Sequence, residues 1–447
     1  MFKYFPHTPE DLAAMLERVG AKSIDDLFVD IPKSIRYKKD YKVPESMSEM
    51  EIRAHMQALA DANERLVVFR GAGAYDHETP SIIKPLISRQ EFLTSYTPYQ
   101  PEISQGTLQY IFEYQSMICE LTGMDVSNAS MYDGATATAE ALFMAQAATK
   151  SSRMLVSDLV NPEVINVVET YAHFRGLHIE KVRSVNGTLD RNHLKDLLDD
   201  GPASLLVQYP NYLGIVEDFS EVAQLVHEHQ GLFIMNANPS LLSVLKTPRE
   251  QGADIAVGDG QPLGIPLSFG GPYFGYLTTT TPLVRKMPGR IVGMTKDVDG
   301  KRAFVLTLQA REQHIRREKA NSNICSNQSL MALFATIYVA ALGKQGMIDV
   351  NTRCIQATHD LYDRLIKTGA FHPAFDAPFA HEAVLLSSLD LNKLNDRLLK
   401  KGMLGGLPVK LPDSKKTGWL FSVSERRTPA QIDTLVQEVE MMAHEVL

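Results

Sequence analysis

Between residues 154 and 257 short apolar runs alternate with longer stretches of helical periodicity. Strands separated by helices of about ten residues are typical of βαβ units, whose parallel strands are joined by right-handed crossovers. The pattern therefore predicts an α/β domain built on a mostly parallel sheet. The predicted strands are residues 154–156, 179–182, 205–208, 232–235 and 255–257, and the predicted helices are residues 163–174, 191–198 and 221–229.

Helix-capping signals divide the rest of the chain. Thr8 and Ser48 each open a capping box before an apolar helical stripe, and Thr428 with Gln431 does the same before the last helix. We predict an N-terminal helical arm, a large α/β domain and a small C-terminal α+β domain. Their predicted ranges are residues 1–60, 61–345 and 346–447.

The composition excludes several classes of protein. The formal net charge of −8 gives no sign of nucleic-acid binding. Three widely spaced cysteines argue against a disulfide framework and for a reducing compartment. No signal or transit peptide is visible at the N-terminus, and the longest apolar run, residues 330–342, is shorter than the roughly 20 residues of a bilayer span. We therefore expect a cytoplasmic protein with no membrane span.

The stretch from Ala253 to Leu277 holds the loop where chemistry is expected. Apolar runs at 255–257 and 273–277 predict two buried strands around a loop rich in glycine and proline. Loops at the carboxyl ends of strands bind the ligand in open α/β folds. Yet the only ionisable side chain in the loop between these strands is Asp259, and the loop contains no Lys, His, Cys or Arg.

A run of small residues from Asp133 to Glu140 opens another predicted helix. Free N–H groups at such a helix start can hold a phosphate, which makes Asp133, Gly134, Ala135 and Thr136 a candidate cradle. A helix that packs tightly against a sheet through its alanines explains the same residues. From the residues alone we favour packing.

Several longer motifs make the chain similar to a known family. The motifs are residues 69–77 (FRGAGAYDH), 96–106 (YTPYQPEISQG), 112–134 (FEYQSMICELTGMDVSNASMYDG) and 309–327 (QAREQHIRREKANSNICSN). Through them the chain resembles the glycine decarboxylase P-protein family, most closely the N-terminal-half subunit of enzymes that are split into two polypeptides. The resemblance covers essentially the whole chain, and the order and spacing of the motifs are specific.

This resemblance implies a fold and a reaction. The expected fold is the aspartate-aminotransferase-like fold, fold type I, of pyridoxal-phosphate enzymes. The expected activity is that of the aminomethyl-transferring glycine dehydrogenase of the glycine cleavage system. Glycine is decarboxylated with pyridoxal phosphate as the electron sink, and the aminomethyl group passes to the lipoyl arm of the H-protein.

Two residue requirements of that chemistry are not met in this sequence. Catalytic relatives carry a Schiff-base lysine in a His-Lys pair, and Gln261-Pro262 stands at the matching position. They also end a strand with a carboxylate that holds the pyridine nitrogen protonated, where this chain has Asn236. The nearest lysines in sequence, Lys246 and Lys286, fall in other predicted elements. We therefore expect no covalently bound coenzyme in this chain.

The family organisation implies that a homologous, lysine-bearing partner, subunit 2 or beta, binds the pyridoxal phosphate. We expect an α2β2 heterotetramer, since twofold closure favours it, that acts on glycine and on the lipoylated H-protein. A proline-stiffened segment of this chain is predicted to reach the partner's active site; an interface segment that serves stability alone is the alternative. Its residues are Tyr96, Thr97, Pro98, Tyr99, Gln100 and Glu102.

A second candidate interface lies in the cationic segment 314–325, at Arg316, Arg317, Ser322 and Asn323. It fits either contact with the partner's phosphate or the H-protein, or a solvated helix start. Two other functions remain open at this point. In the first, the chain is a scaffold without a catalytic contribution. In the second, it is a self-sufficient pyridoxal-phosphate lyase or aminotransferase with an unrecognised lysine.

Overall fold

The computed structural model describes residues 6–37, 39–311, 313–320, 322–325, 327–412, 414 and 416–446. Contacts divide the chain into two compact units, of which the first ends at Glu64 and the second begins at Arg65. The predicted division of the second unit at residues 345 and 346 stays a prediction.

The first unit consists of two helices, Pro9–Val19 and Glu49–Asp61, and a 3-10 helix, Ile24–Phe28. Both predicted capping boxes are present. The hydroxyls of Thr8 and Ser48 accept N–H groups three residues on, and the carboxylates there accept the N–H groups of the two caps. Neither helix buries a residue.

A seven-stranded sheet forms the centre of the second unit. Five neighbouring strands run parallel and are the five strands predicted from the sequence, within a few residues at each end. Two antiparallel strands extend one edge. In spatial order the strands are Val126–Ser127, Gly275–Thr279, Ile255–Asp259, Phe233–Ala237, Ser204–Tyr209, Arg153–Ser157 and His178–Val182.

Helices cover this sheet, and buried apolar residues fill the space beneath them. The helix Gly134–Thr149 packs on the sheet through its alanines, as the packing interpretation of this run predicts. The other helices of the second unit, Ser329–Lys367 aside, are Ile83–Ile87, Gln90–Leu93, Gln105–Thr122, Pro162–Arg175, Arg191–Asp199, Ser220–Glu228, Gln313–Arg316, Leu391–Lys400 and Pro429–Val446, with 3-10 turns at Leu241–Ser243, Thr281–Lys286, Gln309–Arg311 and Arg317–Lys319.

The C-terminal part contains a four-stranded antiparallel sheet, and the predicted capping box at Thr428 and Gln431 precedes the last helix. The strand Val67–Val68 pairs with Met403–Leu404, so the chain joins this part soon after the second unit begins. The four strands, in spatial order, are Phe371–Pro373, Glu382–Ser387, Thr417–Ser422 and Leu407–Lys410; separate hairpins pair Ile291–Lys296 with Arg302–Thr307 and Ser184–Val185 with Thr188–Leu189.

The helix Ser329–Lys367 links the two parts of the second unit and is broken by a non-helical backbone at Gly343. Among the described residues it is the one helix long and apolar enough to cross a membrane by length and composition. Its buried side chains belong to three core clusters, with Tyr338 in one, Leu361 in the second and Leu333 in the third. Such packing is typical of a core helix and agrees with the buried helix predicted for residues 330–342.

Candidate functional site

A cavity of about 400 Å³ lies at the carboxyl ends of the parallel strands. It opens where the sheet order reverses, beside Arg153–Ser157 and Ser204–Tyr209, the position at which open α/β sheets bind their ligands. Its lining residues are Gly71, Ala72, Gly73, Ala74, Tyr75, Asp133, Gly134, Ala135, Asn161, Glu163, Val164, Gln208, Pro210, Asn211, Gly214, Asn236, Ala237, Asn238, Asp259, Pro262, Tyr273 and Glu382.

The wall of this cavity carries amides and carboxylates. Asp133, Glu163, Asp259 and Glu382 contribute acidic groups, and none of the described lining residues is Lys, Arg or His. Three positions singled out in the sequence, Pro262, Asn236 and the helix start at Asp133, meet here although they are far apart in the chain. The ionisable groups that line the cavity are therefore acidic, with no cation among its described lining residues.

Asp259 ends its strand with the carboxylate turned to the start of the helix Gly134–Thr149. Its Oδ2 accepts the Gly134 N–H at 3.1 Å, and its Oδ1 accepts the Gln261 N–H at 2.8 Å. Burial raises the pKa of Asp259 to about 6, and nearby Asp133 adds to the increase while the two N–H donors oppose it. A Cβ on residue 134 would lie 2.6 Å from the Asp259 nitrogen, so only glycine permits this approach.

The predicted phosphate cradle is the same helix start. Asp133 is the N-cap, and its Oδ1 accepts the Thr136 N–H at 2.8 Å. Asp133, Gly134 and Ala135 line the cavity, whereas Thr136 completes the capping box behind them. The amides of Gly134 and Thr136 thus already have carboxylate acceptors from this chain.

Asn236 and Pro262 are the residues predicted to stand at the two positions that the coenzyme's chemistry requires. The Asn236 Nδ2 donates to the Thr138 hydroxyl at 3.0 Å, and an amide supplies no charge to a pyridine nitrogen. Pro262 has no amine. Beside it, the side-chain amide of the fully buried Gln261 accepts a hydrogen bond from the Tyr75 N–H and donates one to the Tyr75 carbonyl. These residues do not match those needed to hold pyridoxal phosphate through a Schiff base.

The nearest lysines in the sequence do not line this cavity. Lys246 pairs with Asp218 at 2.6 Å on an exposed face. Lys286 lies in a different cavity. Neither lysine therefore lies beside Pro262 in the cavity.

Sequence reasoning missed Glu382 and its partner Tyr75. The Tyr75 hydroxyl donates to Glu382 at 2.9 Å, and the N–H of Ala72 donates to the same carboxylate. Burial raises the pKa of Glu382 to about 7, although both hydrogen bonds act in the opposite direction. The sequence signal for this site is that Glu382 is the first residue of an apolar strand. A carboxylate buried there needs hydrogen-bond donors from another part of the chain.

The segment predicted to face a partner lies outside this cavity, between the helices Gln90–Leu93 and Gln105–Thr122. Pro98 is buried, and Thr97 is partly buried. Gln100 and Glu102 are exposed, Tyr96 is 83% exposed and Tyr99 is 47% exposed. The flanking Ile103 is 80% exposed, so the segment presents large apolar side chains on a stiff backbone.

Arg290 connects this segment to the second candidate interface. Its guanidinium lies 5.0 Å from the Tyr99 ring centroid, and Nη2 donates to the Tyr99 hydroxyl at 2.8 Å. The same nitrogen approaches the Cys325 sulfur at 3.4 Å. The structure thereby brings together two predicted interface segments that are distant in sequence.

The second segment borders a smaller cavity of about 210 Å³. Ser322 donates to Glu140 at 2.9 Å, and burial raises the pKa of Glu140 to about 7. Arg317 and Asn323 are exposed, and neither lines this cavity. The basic residues that line it are Arg175, Arg285, Lys286 and Arg316.

Comparisons with known proteins agree with the resemblance seen in the sequence. A family model described as glycine cleavage system P-protein matches residues 2–439. The chain is 47% identical to the probable glycine dehydrogenase (decarboxylating) subunit 1 of Anoxybacillus flavithermus, over 98% of this chain and 99% of that protein.

Solved structures give the same result for the fold. A crystal structure of glycine decarboxylase (P-protein) of the glycine cleavage system, in inhibitor-bound form, matches with a TM-score of 0.89 and 40% identity, over 99% of this chain and 100% of that chain. A Burkholderia pseudomallei sphingosine-1-phosphate lyase shares the fold alone, with a TM-score of 0.68 and 12% identity over 92% of this chain and 94% of that one. The predicted aspartate-aminotransferase-like fold, fold type I, is thereby confirmed.

Proposed function

Because the chain belongs to the glycine cleavage system P-protein family, we propose that it is the coenzyme-free subunit of a two-subunit glycine decarboxylase. In this proposal the lysine-bearing subunit 2 holds the pyridoxal phosphate. Together the two subunits decarboxylate glycine and transfer its aminomethyl group to the lipoyl arm of the H-protein. The observation that carries the proposal is the composition of the cavity, where proline stands in place of an amine.

Two failures at separate positions support this division of labour. A side chain at Pro262 offers no nucleophile for a carbonyl, and the amide of Asn236 offers no counter-charge for a protonated pyridine. A lysine at position 262 would still lack the counter-charge, and an aspartate at position 236 would still lack the nucleophile. The fold and cavity are those of a coenzyme-binding chain, but the residues within are not.

The need for a partner has separate support. The segment around Tyr96 and Ile103 exposes apolar side chains, which in soluble proteins marks interaction surfaces. Arg290 joins this segment to Cys325, so the two interface segments form one continuous surface in our proposal. We propose that this surface completes the partner's active site in a cytoplasmic α2β2 assembly, since a twofold interface lets each chain serve its neighbour.

Tyr96 provides the sharpest test of a catalytic contribution. Because its side chain is 83% exposed, Tyr96→Phe leaves the stability of this chain unchanged, and an effect on turnover then acts through the partner. We expect kcat/KM for glycine–CO2 exchange in the assembled enzyme to fall by about tenfold or more, as misplacement near reacting atoms can cost up to about 10²-fold.

Tyr99→Phe is less specific, because it also removes one of the acceptors of Arg290. Tyr41→Phe is the matched control, since Tyr41 is 77% exposed and lies in the first unit. Unchanged exchange kinetics in Tyr96→Phe, with normal assembly, would leave the chain a scaffold.

A second experiment addresses the coenzyme directly. The chain purified alone should be colourless, and borohydride should attach no pyridoxyl group to it, whereas the partner subunit should gain one. A specific pyridoxyl adduct on this chain would favour the self-sufficient enzyme instead. Assembly mass and coenzyme absorbance, measured during titration of one subunit with the other, give the stoichiometry.

A further inference from the structure

At the start of the helix Gly134–Thr149, which faces the cavity, backbone amides already bind carboxylates of this chain. Two of its first-turn amides, those of Gly134 and Thr136, donate to carboxylates of this chain rather than facing the cavity without acceptors. Asp133 is the ordinary N-cap of such a helix. Asp259 is different, because it comes from the end of a strand and reaches the helix across the cavity wall.

We propose that Asp259 is a specificity-determining residue that excludes phosphate from this chain by occupying the amide at the helix start with an internal carboxylate. The inference deepens the proposed coenzyme-free function and rests on it. It adds that the chain cannot bind the phosphate group of the coenzyme, just as it cannot form a Schiff base with the aldehyde. Free pyridoxal phosphate and inorganic phosphate are both rejected.

The geometry keeps the Asp259 carboxylate in place. One oxygen accepts from Gly134 and the other from Gln261, so rotation of the side chain away from the helix breaks both hydrogen bonds. The glycine at position 134 brings strand end and helix start into contact, which leaves the carboxylate directly against the amide. A phosphate at this helix start would have to displace that carboxylate.

Charge opposes phosphate in addition to occupancy. An entering phosphate would approach both Asp133 and Asp259, and the described cavity lining offers no Lys, Arg or His to offset them. Like charges in a partly dehydrated site repel far more than they do in water. Burial raises the pKa of Asp259 to about 6, so at pH 8 the carboxylate is ionised and the barrier is complete.

The test compares phosphate binding to the full chain and to three variants at pH 8. Asp259→Ala removes both the charge and the acceptor, Asp259→Asn removes the charge alone, and Glu163→Gln removes a different carboxylate from the same cavity. Inorganic phosphate is the probe, and its affinity is measured by titration calorimetry and by the shift in unfolding temperature. Unfolding without phosphate shows which variants are folded.

We expect the wild-type chain and Glu163→Gln to show no phosphate-dependent shift. At least one folded Asp259 variant should bind phosphate about tenfold to hundredfold more tightly, the range for a hydrogen bond to a charged group. Phosphate binding by the wild-type chain, an equal gain in Glu163→Gln, or no gain in any folded Asp259 variant would each overturn the inference. None of these results depends on the partner or on turnover, so the proposed function can fail or stand separately.

Discussion

Replacing Glu382 by Gln should change how the stability of this chain depends on pH. Glu382 is 4% exposed, and burial raises its pKa from the usual 4.5 to about 7. Glutamine has almost the same shape and keeps an acceptor for the N–H of Ala72. The substitution therefore removes the ionisation of this buried group with little change in packing.

The sign follows from proton linkage. The folded state binds the Glu382 proton more tightly than the unfolded state, so the stabilisation is complete below pH 4.5 and is lost as the pH rises through about 7. A difference of roughly 2.5 pKa units corresponds to about 3 kcal/mol. Relative to Glu382→Gln, the wild-type chain should lose about that much stability between pH 4.5 and pH 8.

Urea unfolding of both chains at several pH values across this range measures the difference. Other carboxyls, Asp259 among them, titrate in the same range, but they contribute equally to both chains and cancel. Tyr75→Phe supplies a second signature. It removes a donor that lowers the pKa of Glu382, so the loss of stability should move to higher pH. Parallel stability curves for wild type and Glu382→Gln would refute the reasoning.

Two further stability predictions follow from buried polar groups. The Gln261 amide makes three hydrogen bonds to backbone groups, two of them with Tyr75. Gln261→Ala should therefore lower the free energy of unfolding by at least about 3 kcal/mol, whereas Gln224→Ala, at an exposed position, should change it by less than about 0.5 kcal/mol. Similar changes for the two variants in urea titrations would contradict this. Burial raises the pKa of Glu425, but the hydrogen bonds from His77, Glu78 and Cys354 and the charge of His77 together lower that pKa to about 2. The stability advantage of wild type over Glu425→Gln should therefore shrink as the pH falls from 5 towards 2, and an acid-unfolding profile that the substitution leaves unchanged would disprove this.

The parallel strands were predictable because strands buried on both faces are continuous apolar runs. Val126–Ser127 was not, since two residues carry no period. The positions Pro262 and Asn236 were identified from the sequence through the family resemblance, and the structure places both on one cavity wall. Glu382 could not be placed from sequence, because its contact with Tyr75 depends on how the C-terminal sheet meets the loop after Val67–Val68.

In the proposed function, loss of coenzyme chemistry need not disturb the surface offered to a partner, because the cavity and this surface involve different residues. The helix Gly134–Thr149 contributes its first residues to the acidic cavity, whereas Glu140, further along, contacts Ser322 of the second interface segment. Arg290 then connects that segment to Tyr99 without touching the cavity. The residue at position 262 can therefore change while this surface keeps its geometry. The proposed coenzyme-free subunit of a shared active site requires this arrangement.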